Sequence, residues 1–155
     1  MTVIAFDGVT LASDSQMTDD CGVTSCSKIF TIGKDCLFGG AGMAGYVALV
    51  RDWLMAGAPA KSRPDCSKYE GAWFGGIIIK GGKCLALDSF LSAIPITAKF
   101  YAVGSGAAQA NALMSTGMTA PQAVAHIIQN NLADGVGGEV QSLTLKKRKA
   151  GIRKS

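Results

Sequence analysis

Thr2 stands directly behind the initiator methionine, and a threonine at a free N-terminus carries both halves of a nucleophilic pair. Its hydroxyl is the nucleophile. Its α-amine, with an ordinary pKa of about 7.7–8, is a base near working pH that takes the hydroxyl proton and returns it to a leaving amine. Initiator methionine is trimmed when the second residue is small, so loss of Met1 is expected to expose Thr2 as the terminus. Met-Thr is also an ordinary beginning for chains with no catalytic role. Taken singly, other candidates are equally open: Asp14 reads as a turn residue, Lys28 as a solvated charge, and Gly39-Gly40-Ala41-Gly42 as a tight strand-to-helix turn or a close packing contact. Five cysteines without CxxC spacing and a single histidine, His126, argue against a disulfide framework and a zinc site. The cysteines are expected to be reduced and mostly buried, and His126 is given no catalytic role.

The elements that must position these residues are short and glycine-punctuated. Strands are predicted over 2–6 and 9–13 around Asp7-Gly8, over 28–32 and 35–38 around Gly33-Lys34, and over 76–79 and 83–87 around Gly81-Gly82. Three hairpins imply a substantial antiparallel sheet or a pair of sheets. Between the second and third, residues 42–56 place Met43, Val47, Val50 and Leu54 on one helical stripe, with Arg51 and Asp52 turned away. Residues 57–71, with Pro59 and Pro64, read as an exposed loop. A strand at 100–103 precedes a helix at 106–114. A second helix starts at Thr119-Ala-Pro-Gln122, where threonine at the N-cap, proline in the first turn and glutamine at N3 coincide. Its apolar face is Ala120, Val124, Ile127, Ile128 and Leu132, and a last strand is predicted over 140–145. Helices segregated from antiparallel sheets in this order predict an α+β fold, a four-layer α/β/β/α sandwich. A single domain over 1–145 and a basic tail over 146–155 are expected.

Four blocks taken in order carry a specific resemblance: Thr2-Val-Ile-Ala, Leu11-Ala-Ser-Asp14-Ser-Gln-Met-Thr18, Ser27-Lys28-Ile-Phe, and Gly40-Ala-Gly42. In this the chain resembles the proteasome β-subunit family and its bacterial relative HslV, the N-terminal nucleophile hydrolases. The resemblance implies that Thr2 is the nucleophile and its amine the base, that Lys28 lies beside the amine and disfavours its protonation, and that Asp14 pairs with Lys28. It implies an oxyanion donor in the N–H of Gly42. Further on, Val103-Gly-Ser105-Gly and Asp134-Gly-Val-Gly137-Gly138 are similar to two later family motifs, which makes Ser105 and Asp134 hydrogen-bonding supports for the threonine. Gly137 departs from the pattern, since relatives usually carry a second serine there. The same resemblance places Met17, Thr18, Cys26, Phe30, Gly40, Ala44 and Ala48 in the substrate pocket. That lining is apolar and uncharged, so an apolar residue before the cleaved bond is expected. The match covers nearly the whole chain, with the stretch before Gly75 abbreviated.

Composition fits this reading. At 155 residues and 48% hydrophobic, the chain has enough apolar material for a core. Six of fifteen basic residues lie between Lys146 and Lys154, and the remainder of the chain holds nine basic against eleven acidic residues. No aromatic residue interleaves with the tail's charges, so a solvated terminus is expected and nucleic-acid binding is ranked last. The chain lacks an apolar run long enough to span a bilayer and a recognisable leader, which predicts a cytoplasmic protein without membrane contact. No cofactor or metal is expected. The resemblance implies unfolded protein or peptide substrates and a homo-oligomeric ring of six or seven subunits, possibly stacked. The sequence has no Walker motif, so any ring ATPase unfoldase would be a separate protein. Two alternatives stay open: a catalytically silent structural subunit of the same fold, or an amidohydrolase of a small substrate.

Overall fold

Asp7-Gly8 turns the chain between β1 (Val3–Phe6) and β2 (Thr10–Ser13), with Asp7 Oδ1 accepting from the N–H groups of Val9 and Thr10. This computed structural model describes residues 1–145; the basic tail over 146–155 lies outside the described residues. The expected hairpins are present as β1–β2, as β5 (Ile29–Ile32) with β6 (Cys36–Gly42), and as β7 (Phe74–Lys80) with β8 (Lys83–Leu87). Three strands were not expected. A polar hairpin, β3 (Gln16–Asp19) with β4 (Gly22–Ser25), projects as a sheet of its own, and β9 (Ala93–Ile96) extends the sheet of β5–β8. β9 carries Pro95, which is compatible with an edge position because an edge strand can leave one N–H side unpaired. The remaining strands are β10 (Tyr101–Gly104) and β11 (Gln141–Thr144). The chain is thus mixed α and β, with a four-stranded sheet ordered β10-β1-β2-β11 and a five-stranded sheet ordered β5-β6-β7-β8-β9, all pairs antiparallel.

Three apolar cores surround these sheets. β1 is buried on both faces, which explains its uninterrupted Val-Ile-Ala-Phe sequence. Val3 and Ala5 face α2 (Ala107–Ser115) and α3 (Ala120–Gln129), packing with Met114, Val124 and Ile127. Ile4 and Phe6 face the other sheet and pack with Ile29, Leu37 and Ile77. Beyond that sheet, Phe38, Phe74 and Ile78 meet Tyr46, Val47 and Val50 of α1 (Ala44–Met55).

The helices correct several sequence expectations. Gly39 to Gly42 belong to β6 rather than to the helix entry, and Gly40 lies opposite Gly76 of β7. On α1 the buried face is Tyr46, Val47 and Val50; Met43 is the N-cap residue and is 38% exposed. Tyr46 turns the face, because its ring packs edge-on to Phe74 at 5.2 Å and its hydroxyl reaches the Pro64 carbonyl at 3.3 Å. The capping box at Thr119 and Gln122 forms as expected, but α3 ends at Gln129 and Leu132 lies beyond it, exposed. The loop over 57–71 is largely exposed and contains two single 3-10 turns. Cys36, Cys66 and Cys84 are buried free thiols, and burial pushes the Cys84 thiol up to about 11. Cys21 is exposed, and Cys26 is half-buried. Among the described residues, no helix is long and apolar enough to cross a membrane.

Candidate active site

The ends of β1, β2 and β5 bring the N-terminal residues together with Asp14 and Lys28. Asp14 leaves β2 in the first residue after the strand and is fully buried, while Lys28 enters β5 with 6% exposure. Their side chains pair, with Lys28 Nζ at 2.9 and 3.0 Å from the two carboxylate oxygens of Asp14. The carboxylate also accepts from three backbone N–H groups: Val3 on Oδ1 at 3.1 Å, and Gln16 and Gly137 on Oδ2 at 3.3 and 3.1 Å. A buried ion pair loses hydration on both sides, and these added donors offset that cost on the carboxylate. Asp14 does close a turn onto the Gln16 N–H, but its carboxylate serves Lys28, Val3 and Gly137 as well, and a solvated role for Lys28 does not fit this geometry.

Lys28 Nζ makes a further contact that bears on chemistry: it donates to the Met1 carbonyl at 3.3 Å. That carbonyl is bonded to the Thr2 nitrogen, so the buried ammonium lies beside the main-chain atom that becomes an amine when Met1 is lost. Thr2 itself is 6% exposed. Its N–H donates to Ser105 Oγ at 3.1 Å, and its carbonyl accepts from the Gly106 N–H at 3.2 Å, with Ser105 Oγ also 3.3 Å away. The Val103-Gly-Ser105-Gly motif, at the passage from β10 into α2, thus holds Thr2 through both backbone and hydroxyl. Asp134 comes close by a different route from the one expected. Its carbonyl lies 3.4 Å from Ser105 Oγ, whereas among the described residues its exposed carboxylate has no hydrogen-bond partner.

A cleft of about 490 Å³ opens in front of Thr2. It is lined by Lys28 and Gly42 and by every residue expected in the pocket: Met17, Thr18, Cys26, Phe30, Gly40, Ala44 and Ala48. Asp14, Ser105 and Asp134 do not line it; Asp14 and Ser105 lie behind it, hydrogen-bonded to Lys28 and Thr2. Gly42, with φ of +120°, lies so close to the Trp73 carbonyl that a Cβ there would overlap it. The expected lining is incomplete, because Asp19 and Arg51 also border the cleft. Arg51 was expected to turn away, but its guanidinium lies over the Phe30 ring at 5.2 Å while Nε donates to Asp52 at 2.9 Å. Stacking draws the long side chain across the strand face instead of into solvent.

One support was not singled out from the sequence. The carboxamide of Gln141 on β11 accepts from the Lys28 N–H at 3.3 Å and from Ser13 Oγ at 3.4 Å, and donates to the Cys26 carbonyl at 3.3 Å. It ties the segment carrying Lys28 to the end of β2. A glutamine in a late strand carries no local signal of this.

No protein-family model matches the sequence, and no curated protein matches it. Among solved structures, the chain is similar to Thiobacillus denitrificans BPH in complex with epoxomicin, with a TM-score of 0.63 and 18% identity over 95% of this chain and 100% of that one. It is similar to a second structure of Thiobacillus denitrificans BPH at a TM-score of 0.62 and 16% identity, over 95% of this chain and 99% of that one. At these identities what the proteins share is the fold.

Proposed function

We propose that this chain is a threonine peptidase with a proteasome-like N-terminal nucleophile hydrolase fold, a four-layer α/β/β/α sandwich, in which Thr2 becomes the terminal nucleophile on removal of Met1. The observation that carries the reading is the buried Lys28 ammonium, held by Asp14 and within hydrogen-bond reach of the atoms that precede Thr2, at the end of a cleft lined by the expected pocket residues. The fold likeness to a protein solved with epoxomicin supports it.

In the proposed reaction the free α-amine of Thr2 accepts the proton of its own hydroxyl as Oγ bonds to the substrate carbonyl carbon. Lys28 keeps the amine from competing protonation by placing a fixed positive charge beside it. The carbonyl π electrons move to oxygen, where the Gly42 N–H stabilises the charge. Collapse breaks the C–N bond, the departing amine takes the proton from the Thr2 ammonium, and an ester remains. Water, activated by the same amine, then hydrolyses the ester. Assembly into a ring of six or seven copies, single or stacked, and supply of unfolded protein by a separate ring ATPase belong to this proposal. The strongly exposed Val23, Met55, Trp73 and Phe90 are apolar surface that such assembly could cover.

The test is the intact mass of untagged protein before and after treatment with a peptide epoxyketone, alongside Thr2→Ala. The ketone takes the hydroxyl and the epoxide takes the amine, so only a terminal threonine offers both. A Met-less chain gaining one reagent mass in the wild type alone is the expected result. A Met-less, assembled chain that stays unlabelled would point instead to a structural subunit without activity, a reading that Gly137 and the Asp134 carboxylate, unpaired among the described residues, favour.

The cleft's walls, Met17, Phe30, Val47 and Ala48, are apolar, and Arg51 at its border is already engaged by Asp52 and Phe30. An acidic side chain entering there loses water without gaining a free cation, and a basic one meets only Asp19 at the border, whose carboxylate already accepts from the Cys21 N–H at 2.8 Å. Fluorogenic peptides with an apolar residue before the scissile bond are therefore expected to turn over about 10-fold faster than acidic or basic ones. Equal rates across the three would overturn this preference.

A further inference from the structure

Gly137 stands where the resemblance leads one to expect a serine, and the space its side chain would fill is occupied. A Cβ built on Gly137 would overlap Oε1 of Gln16 and lie 3.0 Å from its Cδ. The backbone does not require glycine, since Gly137 is outside the left-handed region. The missing Cβ instead makes room for the Gln16 carboxamide. Gln16 is well placed to use that room. Its N–H donates to Asp14 Oδ2 at 3.3 Å and lies 3.1 Å from the Gly137 carbonyl, and the residue lines the same cleft as Thr2 and Lys28. Among the described residues, no protein group hydrogen-bonds its carboxamide, although it is only half-exposed at the site.

We infer that Gln16 is a positioning residue for the Thr2 terminus, its carboxamide taking the hydrogen-bonding place that a side chain at position 137 would otherwise hold. The inference rests on the reading of Thr2 as a terminal nucleophile. A carboxamide brings both an acceptor oxygen and an NH2 donor. Oε1 accepting one hydrogen of the α-amine would leave the amine lone pair directed at the hydroxyl proton, and the group adds no charge beside the Lys28–Asp14 pair. The Gln16 carboxamide and a side chain at 137 claim one volume, so a serine at 137 requires the carboxamide to swing out of the place it holds here.

Two variants at Gln16 and one double variant test this with a peptide substrate and the epoxyketone. Gln16→Met keeps the side-chain length and removes the amide; it is expected to lower kcat about 10-fold or more, with KM within about twofold and unfolding unchanged. Gln16→Ala is expected to do the same, and adding Gly137→Ser to Gln16→Ala is expected to restore most of kcat, because the serine then has space. Wild-type kcat in Gln16→Met, or a loss confined to KM, overturns the inference, as does failure of Gly137→Ser to raise kcat above that of Gln16→Ala. A wild type that neither turns over peptide nor accepts the epoxyketone overturns the peptidase reading and this inference with it. An active wild type with an equally active Gln16→Met overturns this inference alone.

Discussion

Asp14→Ala is expected to abolish peptide turnover and to remove about 3–5 kcal/mol of folding stability. The carboxylate is fully buried and serves five contacts: both oxygens on Lys28 Nζ and three backbone N–H groups. Truncation strands an ammonium in the interior and leaves three N–H groups without an acceptor. Lys28→Met is expected to be milder for stability, because Asp14 would still hold its three backbone donors, yet to cost turnover at least about 100-fold by removing the charge beside the Thr2 amine. Urea unfolding should therefore order the proteins as wild type, Lys28→Met, Asp14→Ala, while turnover falls in both variants. A Lys28→Met enzyme with more than about a tenth of wild-type turnover would remove the ammonium from the mechanism. An Asp14→Ala protein destabilised by less than about 1 kcal/mol would mean that water replaces the carboxylate at little cost.

Much of this arrangement could be read from residue order, and the parts that could not share a physical cause. Hairpins around Asp7-Gly8, Gly33-Lys34 and Gly81-Gly82 were legible because turn chemistry is local, as was the Thr119 capping box. The β3–β4 hairpin was not, since Gln16–Asp19 and Gly22–Ser25 are mostly polar and exposed, and alternation leaves no mark where neither face is buried. Gly39 to Gly42 read as a turn because glycine disfavours strands in isolation. In the fold Gly39 makes room for Ile4 and Ile29 on one face of the sheet and Gly40 for Val47 and Phe38 on the other, a tertiary reason that overrides propensity. At the site, the gathering of Thr2, Lys28 and the expected pocket residues around one cleft was legible from the resemblance. The Gln141 clamp, the Gly137 N–H on Asp14 and the approach of Arg51 were not, for each depends on chain segments or side-chain trajectories that meet only after folding.

The second large effect is expected at a residue with no functional group. Gly104→Ala should destabilise the fold by about 2–4 kcal/mol and lose nearly all turnover. Gly104 ends β10 opposite Val3, with φ of +99°, and a Cβ there would overlap the Thr2 carbonyl oxygen. Both sides of that contact are backbone, so neither can swing away as a flexible side chain would. Relief requires Thr2 to move, and Thr2 is held at that same carbonyl by the Gly106 N–H and on its nitrogen by Ser105. A displacement near 1 Å is enough to cost about 100-fold in rate when the nucleophile must meet a fixed carbonyl. Gly117→Ala separates this from backbone strain alone: Gly117 has φ of +101°, but a Cβ there has nothing within 4 Å. It should cost about 1–2 kcal/mol and leave turnover unchanged. If Gly104→Ala matches Gly117→Ala in both stability and rate, the close approach of β10 does not position Thr2, and the Ser105 and Gly106 contacts must hold it unaided.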